Sequence, residues 1–90
     1  MDFLEEFDQL IPLIDTAFQS RESQVLIEHL HTVKGNSGSL GANAIYRLSS
    51  EAHVKVRSQD WETLETVLIK LKNERVIFEN YIKEETTFST

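Results

Sequence analysis

The scarcity of chain-reversing residues constrains this fold more than any other feature. Only three glycines and one proline occur in 90 residues, and the glycines, Gly35, Gly38 and Gly41, are confined to a single stretch. An all-β chain of this length reverses many times and needs turn residues at each reversal. The remaining pattern is helical. Phe3, Leu4, Phe7, Leu10, Ile11, Ile14 and Phe18 recur at helical spacing, interrupted by Pro12. Proline fits the first turn of a helix and damages its interior, so the spacing predicts a short leading helix and a second helix beginning near Pro12.

After a polar break at Ser20 to Ser23, the residues Leu26, Leu30, Val33, Ser37 and Leu40 form the inward stripe of a helix that Gly41 ends. Asn43 is placed to cap the next helix, whose buried stripe is Ile45, Leu48, Ala52 and Val56. Asp60 caps the longest helix, carried by Trp61, Leu64, Leu68, Leu71, Phe78 and Ile82. Arg75 interrupts that stripe and reads as an edge residue whose charge snorkels to solvent. Short connections favour antiparallel neighbours. The expectation is therefore an all-α chain, an antiparallel four-helix bundle with a short additional N-terminal helix. Residues 1–90 make one domain, with a frayed tail over 86–90. Ile69 and Val76 lie off the stripe and are assigned to contact with the leading helix of a monomer.

Charge and cysteine usage narrow the function. A formal net charge of -6 argues against nucleic acid, which selects basic stripes, and the basic residues are scattered. The absence of cysteine excludes disulfides, thiolate chemistry and cysteine zinc clusters, and is compatible with a reducing compartment. The strongest apolar run, Leu10 to Ile14, is far too short to span a bilayer, and no basic-then-apolar signal precedes it. A soluble, cytoplasmic chain without membrane contact is expected. The glycines do not follow the spacing that cradles nucleotide phosphates, so the chain is not expected to bind ATP.

Chemistry concentrates in the run from His31 to Gly41. A helix turns about 100° per residue, which puts His31 roughly 140° from the centre of the inward stripe and stands its ring in solvent. Its surface neighbours are Ile27 on one side and Lys34, Gly35 and Gly38 on the other. A mid-helix glycine costs roughly 1 kcal/mol relative to alanine, so two within one turn are hard to justify by helix stability. Fraying explains Gly41, but Ser37 and Leu40 extend the stripe beyond Gly35, so the helix continues there. The glycines leave room for a partner to approach the ring, and Lys34 supplies a point charge for phosphate oxygens. Imidazole with a pKa near neutrality offers a free lone pair for covalent carriage.

This stretch resembles the signature of histidine-containing phosphotransfer (HPt) domains: His, any two residues, Lys-Gly, a few small residues, then Leu-Gly-Ala. His31, Lys34, Gly35, Leu40, Gly41 and Ala42 fall on it, and Leu48 and Glu51-Ala52 resemble the family's next helix. Asn36 and Ser37 stand where serine and alanine are more usual. The resemblance implies a four-helix bundle and a phosphorelay intermediate of two-component signalling without kinase activity of its own. On it, His31 is the phospho-acceptor and Lys34 neutralises phosphate. Gly35 and Gly38 give docking clearance, and Ile27 and Tyr46 rim the docking patch. The implied partners are receiver domains of response regulators or hybrid sensor kinases. No cofactor or metal is expected in this chain, and the divalent ion belongs to the receiver.

Other constellations weigh less. His29 and His31 are two apart and point to different helix faces, a poor arrangement for a shared metal. His53, at the edge of its stripe, reads as boundary packing and joins a site only if the tertiary fold brings it there. Ser37 and Ser39 lack a nucleophile-elbow motif. Two rival functions remain open on the sequence. One is the substrate domain of a chemotaxis-type histidine kinase, and the other is a helical adaptor that binds without phosphorylation.

Overall fold

The computed structural model describes residues 2–89, and side chains from Asp2 to Glu84. Its described residues form four helices: α1 (Phe3–Gln19), α2 (Ser23–Leu40), α3 (Asn43–Arg57) and α4 (Trp61–Ser89). Cross-helix pairs run in opposite chain directions on successive helices, as in an up-down-up-down bundle. Asn36 of α2 reaches Glu6 of α1, Tyr46 of α3 lies over Gly38 of α2, and Phe3, Asp8 and Asp15 of α1 meet Phe78, Arg75 and Lys72 of α4. The all-α bundle expected from the periodicity is present.

The short additional N-terminal helix is not. Phe3 to Gln19 is one helix with Pro12 inside it, so the two segments read from the sequence are continuous. Pro12 is exposed, so its ring is accommodated on the solvent side. The apolar residues on either side of it, Phe7, Ile14, Ala17 and Phe18, are all buried in one core. Burial of several large side chains outweighs a backbone penalty of about 3 kcal/mol. Asp2 caps this helix, its carboxylate accepting from the Glu5 amide at 2.9 Å.

Leu26, Leu30, Val33 and Ser37 are buried as the stripe predicts, but Leu40 is 56% exposed. It is the last residue of α2 and lies past the packed layer, bordering Phe3, Phe78 and Ile82 at the end of the bundle. Gly41 then adopts φ 73, the left-handed stop read from the sequence. Asn43 does not cap α3. Ala42 occupies that position without a side-chain cap bond, and the Asn43 amide instead donates to the Gly41 carbonyl. Asp60 does cap α4, accepting from the Thr63 amide at 3.2 Å.

The α1–α2 turn replaces glycine with an arginine clamp. Arg21 sits at φ 56, where an L side chain costs roughly 1–2 kcal/mol. Its guanidinium stacks 4.8 Å from the Phe18 ring centroid and 4.9 Å from that of Trp61, and donates to the Phe18 carbonyl. Those contacts offset the backbone strain.

Arg75 is no snorkelling edge residue. Its side chain is 16% exposed and clamps α1 to α4 through a two-pronged pair with Asp8, with a further bond to Glu79. Beside it, Lys72 pairs with Asp15. An arginine tolerates this setting because its planar fork matches a carboxylate and every charge has a partner. Ile69 and Val76 are 53% and 51% exposed, so α1 does not cover them as expected; Ile69 only borders Asp15, Phe18 and Gln19. The backbone of α4 stays helical to Ser89, through most of the segment read as a frayed tail, because propagation adds a backbone bond per residue without needing an apolar stripe. Thr90 lies outside the described residues.

Replacing Pro12 with alanine is expected to stabilise the fold by about 1–3 kcal/mol, since the new amide completes the α1 ladder at an exposed position. Urea unfolding measures it, and an unchanged or lower midpoint would show that α1 gains from the proline.

Candidate functional site

The site lies across the seam between α2 and α3, so its geometry begins with what packs that seam. Ser37 of α2 and Ser49 of α3 are fully buried, and each hydroxyl is satisfied by its own helix: Ser37 donates to the Lys34 carbonyl at 3.0 Å and Ser49 to the Ile45 carbonyl at 2.8 Å. Small, internally satisfied side chains occupy little space at no hydrogen-bonding cost. At Gly38 the Tyr46 ring comes so close that an added Cβ would stand 3.2 Å and 3.3 Å from its carbons.

Above that seam His31 is exposed, as its helical angle predicts. Lys34 is half-buried, and its Nζ lies 5.4 Å from the centroid of the Tyr46 ring. The ring therefore holds the ammonium near the histidine by cation–π attraction while Tyr46 stays 40% exposed. Gly35 is exposed, and a Cβ built there would meet nothing within 4 Å. Ile27 is half-buried, packed against the core while bordering the same face. The six residues singled out from the sequence thus lie on one α2–α3 surface.

The two glycines differ in what surrounds them. Gly38 has an internal reason to lack a side chain, because Tyr46 occupies that space. Gly35 has none among the described residues, where its bare backbone lies open.

Two residues not credited from the sequence join this surface. His53 of α3 accepts a hydrogen bond at Nε2 from Arg57 Nε, 3.1 Å away. Its pKa lies below the ordinary imidazole value, chiefly through partial burial and then through the positive charges of Arg57, Lys34 and His31. Arg57 lies beyond the apolar stripe read for its helix, and His53 reads only as an edge residue. Neither could be placed without the register of α2 against α3. His29, by contrast, lies on another side of α2, and no group of three His, Asp or Glu among the described residues is arranged to hold a metal ion.

The glycines give a matched pair of tests. Gly35→Ala is expected to stabilise the fold by about 0.5–1 kcal/mol, the ordinary helix gain with nothing to displace. Gly38→Ala is expected to recover less than that gain, because Tyr46 must shift. Denaturant midpoints of the two variants check this, and equal gains would show that the Tyr46 contact yields freely.

No curated protein and no solved structure matches the chain. A family model described as Hpt domain matches residues 1–77, which hold α1 to α3, the whole candidate site and more than half of α4. With an exposed histidine, an adjacent lysine and an open glycine on its second helix, this four-helix chain belongs to the Hpt domain family, whose members carry phosphoryl groups in two-component signalling.

Proposed function

We propose that this domain is a phosphorelay intermediate. His31 accepts a phosphoryl group from the aspartyl phosphate of one receiver domain and passes it to the aspartate of another. The observation that supports this most directly is the setting of His31: an exposed imidazole with Lys34 beside it and open backbone at Gly35. In the accepting step a ring-nitrogen lone pair forms the N–P bond, the aspartyl O–P bond breaks, and its electron pair stays on the receiver carboxylate. The donating step reverses these changes on the second receiver.

Phosphoryl transfer depends on in-line positioning and charge neutralisation more than on covalent help from the protein. The receiver's acidic pocket and divalent ion supply most of that, so this chain needs no cofactor. It contributes the nucleophile, the Lys34 charge, and clearance at Gly35 for the partner's rim. Gly38 acts indirectly by letting Tyr46 seat Lys34, while Ile27 and Tyr46 border the docking surface. The family's role as a carrier fits a chain without kinase activity of its own. A monomer exchanging with receivers in the cytoplasm completes the proposal, and no helix among the described residues is long and apolar enough to cross a membrane.

Incubation with a phosphorylated receiver domain and magnesium is expected to label the chain with phosphate that acid removes and alkali spares. His31→Gln should abolish that label. Labelling only by a kinase with ATP would favour the kinase-substrate reading, and partner binding without any label would favour the adaptor.

Gly35→Gln should keep the helix content seen by circular dichroism yet slow transfer about tenfold or more, because a displaced partner loses in-line geometry. Lys34→Ala should slow it about tenfold, the effect of losing a charged hydrogen-bond donor, and so less than loss of His31. Unchanged rates in stopped transfer assays would remove these roles.

A further inference from the structure

Away from the His31 face, α4 carries a stripe that its own bundle does not cover. Lys70, Ile77 and Glu84 are spaced seven apart, almost two full turns each, so they share one helix face. Glu74 and Tyr81, within one turn of Ile77 on either side, complete the stripe. Lys70 and Glu84 are exposed, Ile77 and Tyr81 are 56% and 57% exposed, and Glu74 is half-buried. The stripe borders a groove between α3 and α4. Lys70 and Glu74 line one hollow of about 460 Å³ with Arg47 and Glu51 of α3, and Ile77 and Tyr81 line the next, of about 300 Å³, beside Ile45. Ala44 and Glu74 line both, so the groove is continuous.

In chain order the three residues are cationic, apolar and anionic. A second copy laid antiparallel across them, with the two Ile77 side chains at the two-fold axis, presents the reverse order. Lys70 of each copy then opposes Glu84 of the other, and Tyr81 of each reaches the level of Asn73 in the other's groove. A parallel copy would set lysine on lysine and glutamate on glutamate. Among the described residues neither Lys70 nor Glu84 is in an ion pair, whereas Lys72, Arg75 and Lys83 of the same helix are paired within the chain. We infer that this stripe and the α3–α4 groove beside it form a docking surface for a second copy of the chain, paired antiparallel about Ile77. A two-fold contact requires a patch complementary to itself, and this order of charge and apolar surface meets that requirement.

The contact is small. Residues 70–84 span about 21 Å of helix. One such stretch with a single aromatic ring per copy covers less than the roughly 800 Å² per partner of a stable complex. The pair is therefore reversible, with a dissociation constant on the order of 0.1 mM, and the monomer of the relay proposal is its dilute form. Burial of Ile77 and Tyr81 drives association. The Lys70 to Glu84 contacts are exposed and screened by salt, so they select the antiparallel direction more than they add strength. Pairing leaves the relay site untouched, because His31, Lys34 and Tyr46 lie on the α2–α3 face and the stripe lies past the other edge of α3.

Sedimentation equilibrium of the whole chain from about 10 µM to about 1 mM, a range that brackets the expected constant, is expected to show a monomer passing into a dimer. A monomeric mass throughout overturns the pair and leaves the groove to a different chain. Ile77→Glu, at an exposed position where circular dichroism should show an unchanged fold, should remove the dimer. A dimer that survives it is formed by another surface, and the assignment falls. Lys70→Glu alone, or Glu84→Lys alone, should weaken the dimer about tenfold, because each turns two attractive contacts repulsive. The two changes together should restore it, and a double variant no tighter than either single one overturns the antiparallel pairing. His31→Gln should dimerise as the unaltered chain does, so loss of phosphoryl acceptance and loss of pairing are read separately.

Discussion

The contact of the Tyr46 ring with the bare backbone at Gly38 is the constraint on which the functional face depends. It sets the register of α2 against α3, seats the Lys34 ammonium, and through the helical repeat brings His53 across from His31. Ser37 and Ser49 are buried on these two helices, each satisfied by a carbonyl of its own helix. The helix-propensity penalty of a mid-helix glycine, roughly 1 kcal/mol, is small beside the burial of Leu30, Val33 and Ile45 around it. A seam held by apolar burial keeps its geometry when charge on its outer face changes, as a carrier that gains and loses a phosphoryl group requires.

Electrostatics are divided between two sides of the bundle. Along the α1–α4 seam, opposite charges are paired off: Asp8 and Glu79 with Arg75, and Asp15 with Lys72. These pairs are partly exposed and screened by salt, so they fix the lateral alignment of two helices more than they stabilise the whole. On the α2–α3 face, Lys34 and Arg57 are engaged by an aromatic ring and an imidazole and not by carboxylates. Their charge is therefore available to an approaching anion. On the proposed relay reading, these two cations offer an acidic partner opposite charge on a chain whose net charge is -6, which favours encounter there.

The sequence carried the helical class, the stop of α2 at Gly41 and the exposure of His31, because each follows from a local rule: apolar period, left-handed glycine, angle around a helix. It misled where burial or pairing elsewhere in the fold outweighed the local rule. Pro12 marked a helix start only if the core on either side of it was ignored. Leu40 obeyed the stripe's period but lay beyond the layer that the stripe packs against. Arg75 looked like an interruption because its partners Asp8 and Glu79 are respectively distant in sequence and one turn away. His53 is the sharpest case. Nothing within α3 distinguishes it from an edge residue, and only the antiparallel register gives it His31 and Lys34 as neighbours.

The shape of the surface bears on how the chemistry is shared. Grooves indent the molecule between α3 and α4, between α1 and α4 and around the bundle end near Phe3, Leu40 and Phe78, whereas His31 and Gly35 stand exposed on a helix face. An enzyme that drives phosphoryl transfer alone surrounds the phosphorus with preorganised charge and excludes water. An open histidine does neither until a concave partner closes over it. On the proposed relay reading, the bare backbone at Gly35 sets how deeply that partner seats. On that reading, reactivity is a property of the complex and not of the free domain. For a carrier this division has a functional consequence: transfer is fast where a receiver docks and slow elsewhere, so the specificity of docking becomes the specificity of signalling.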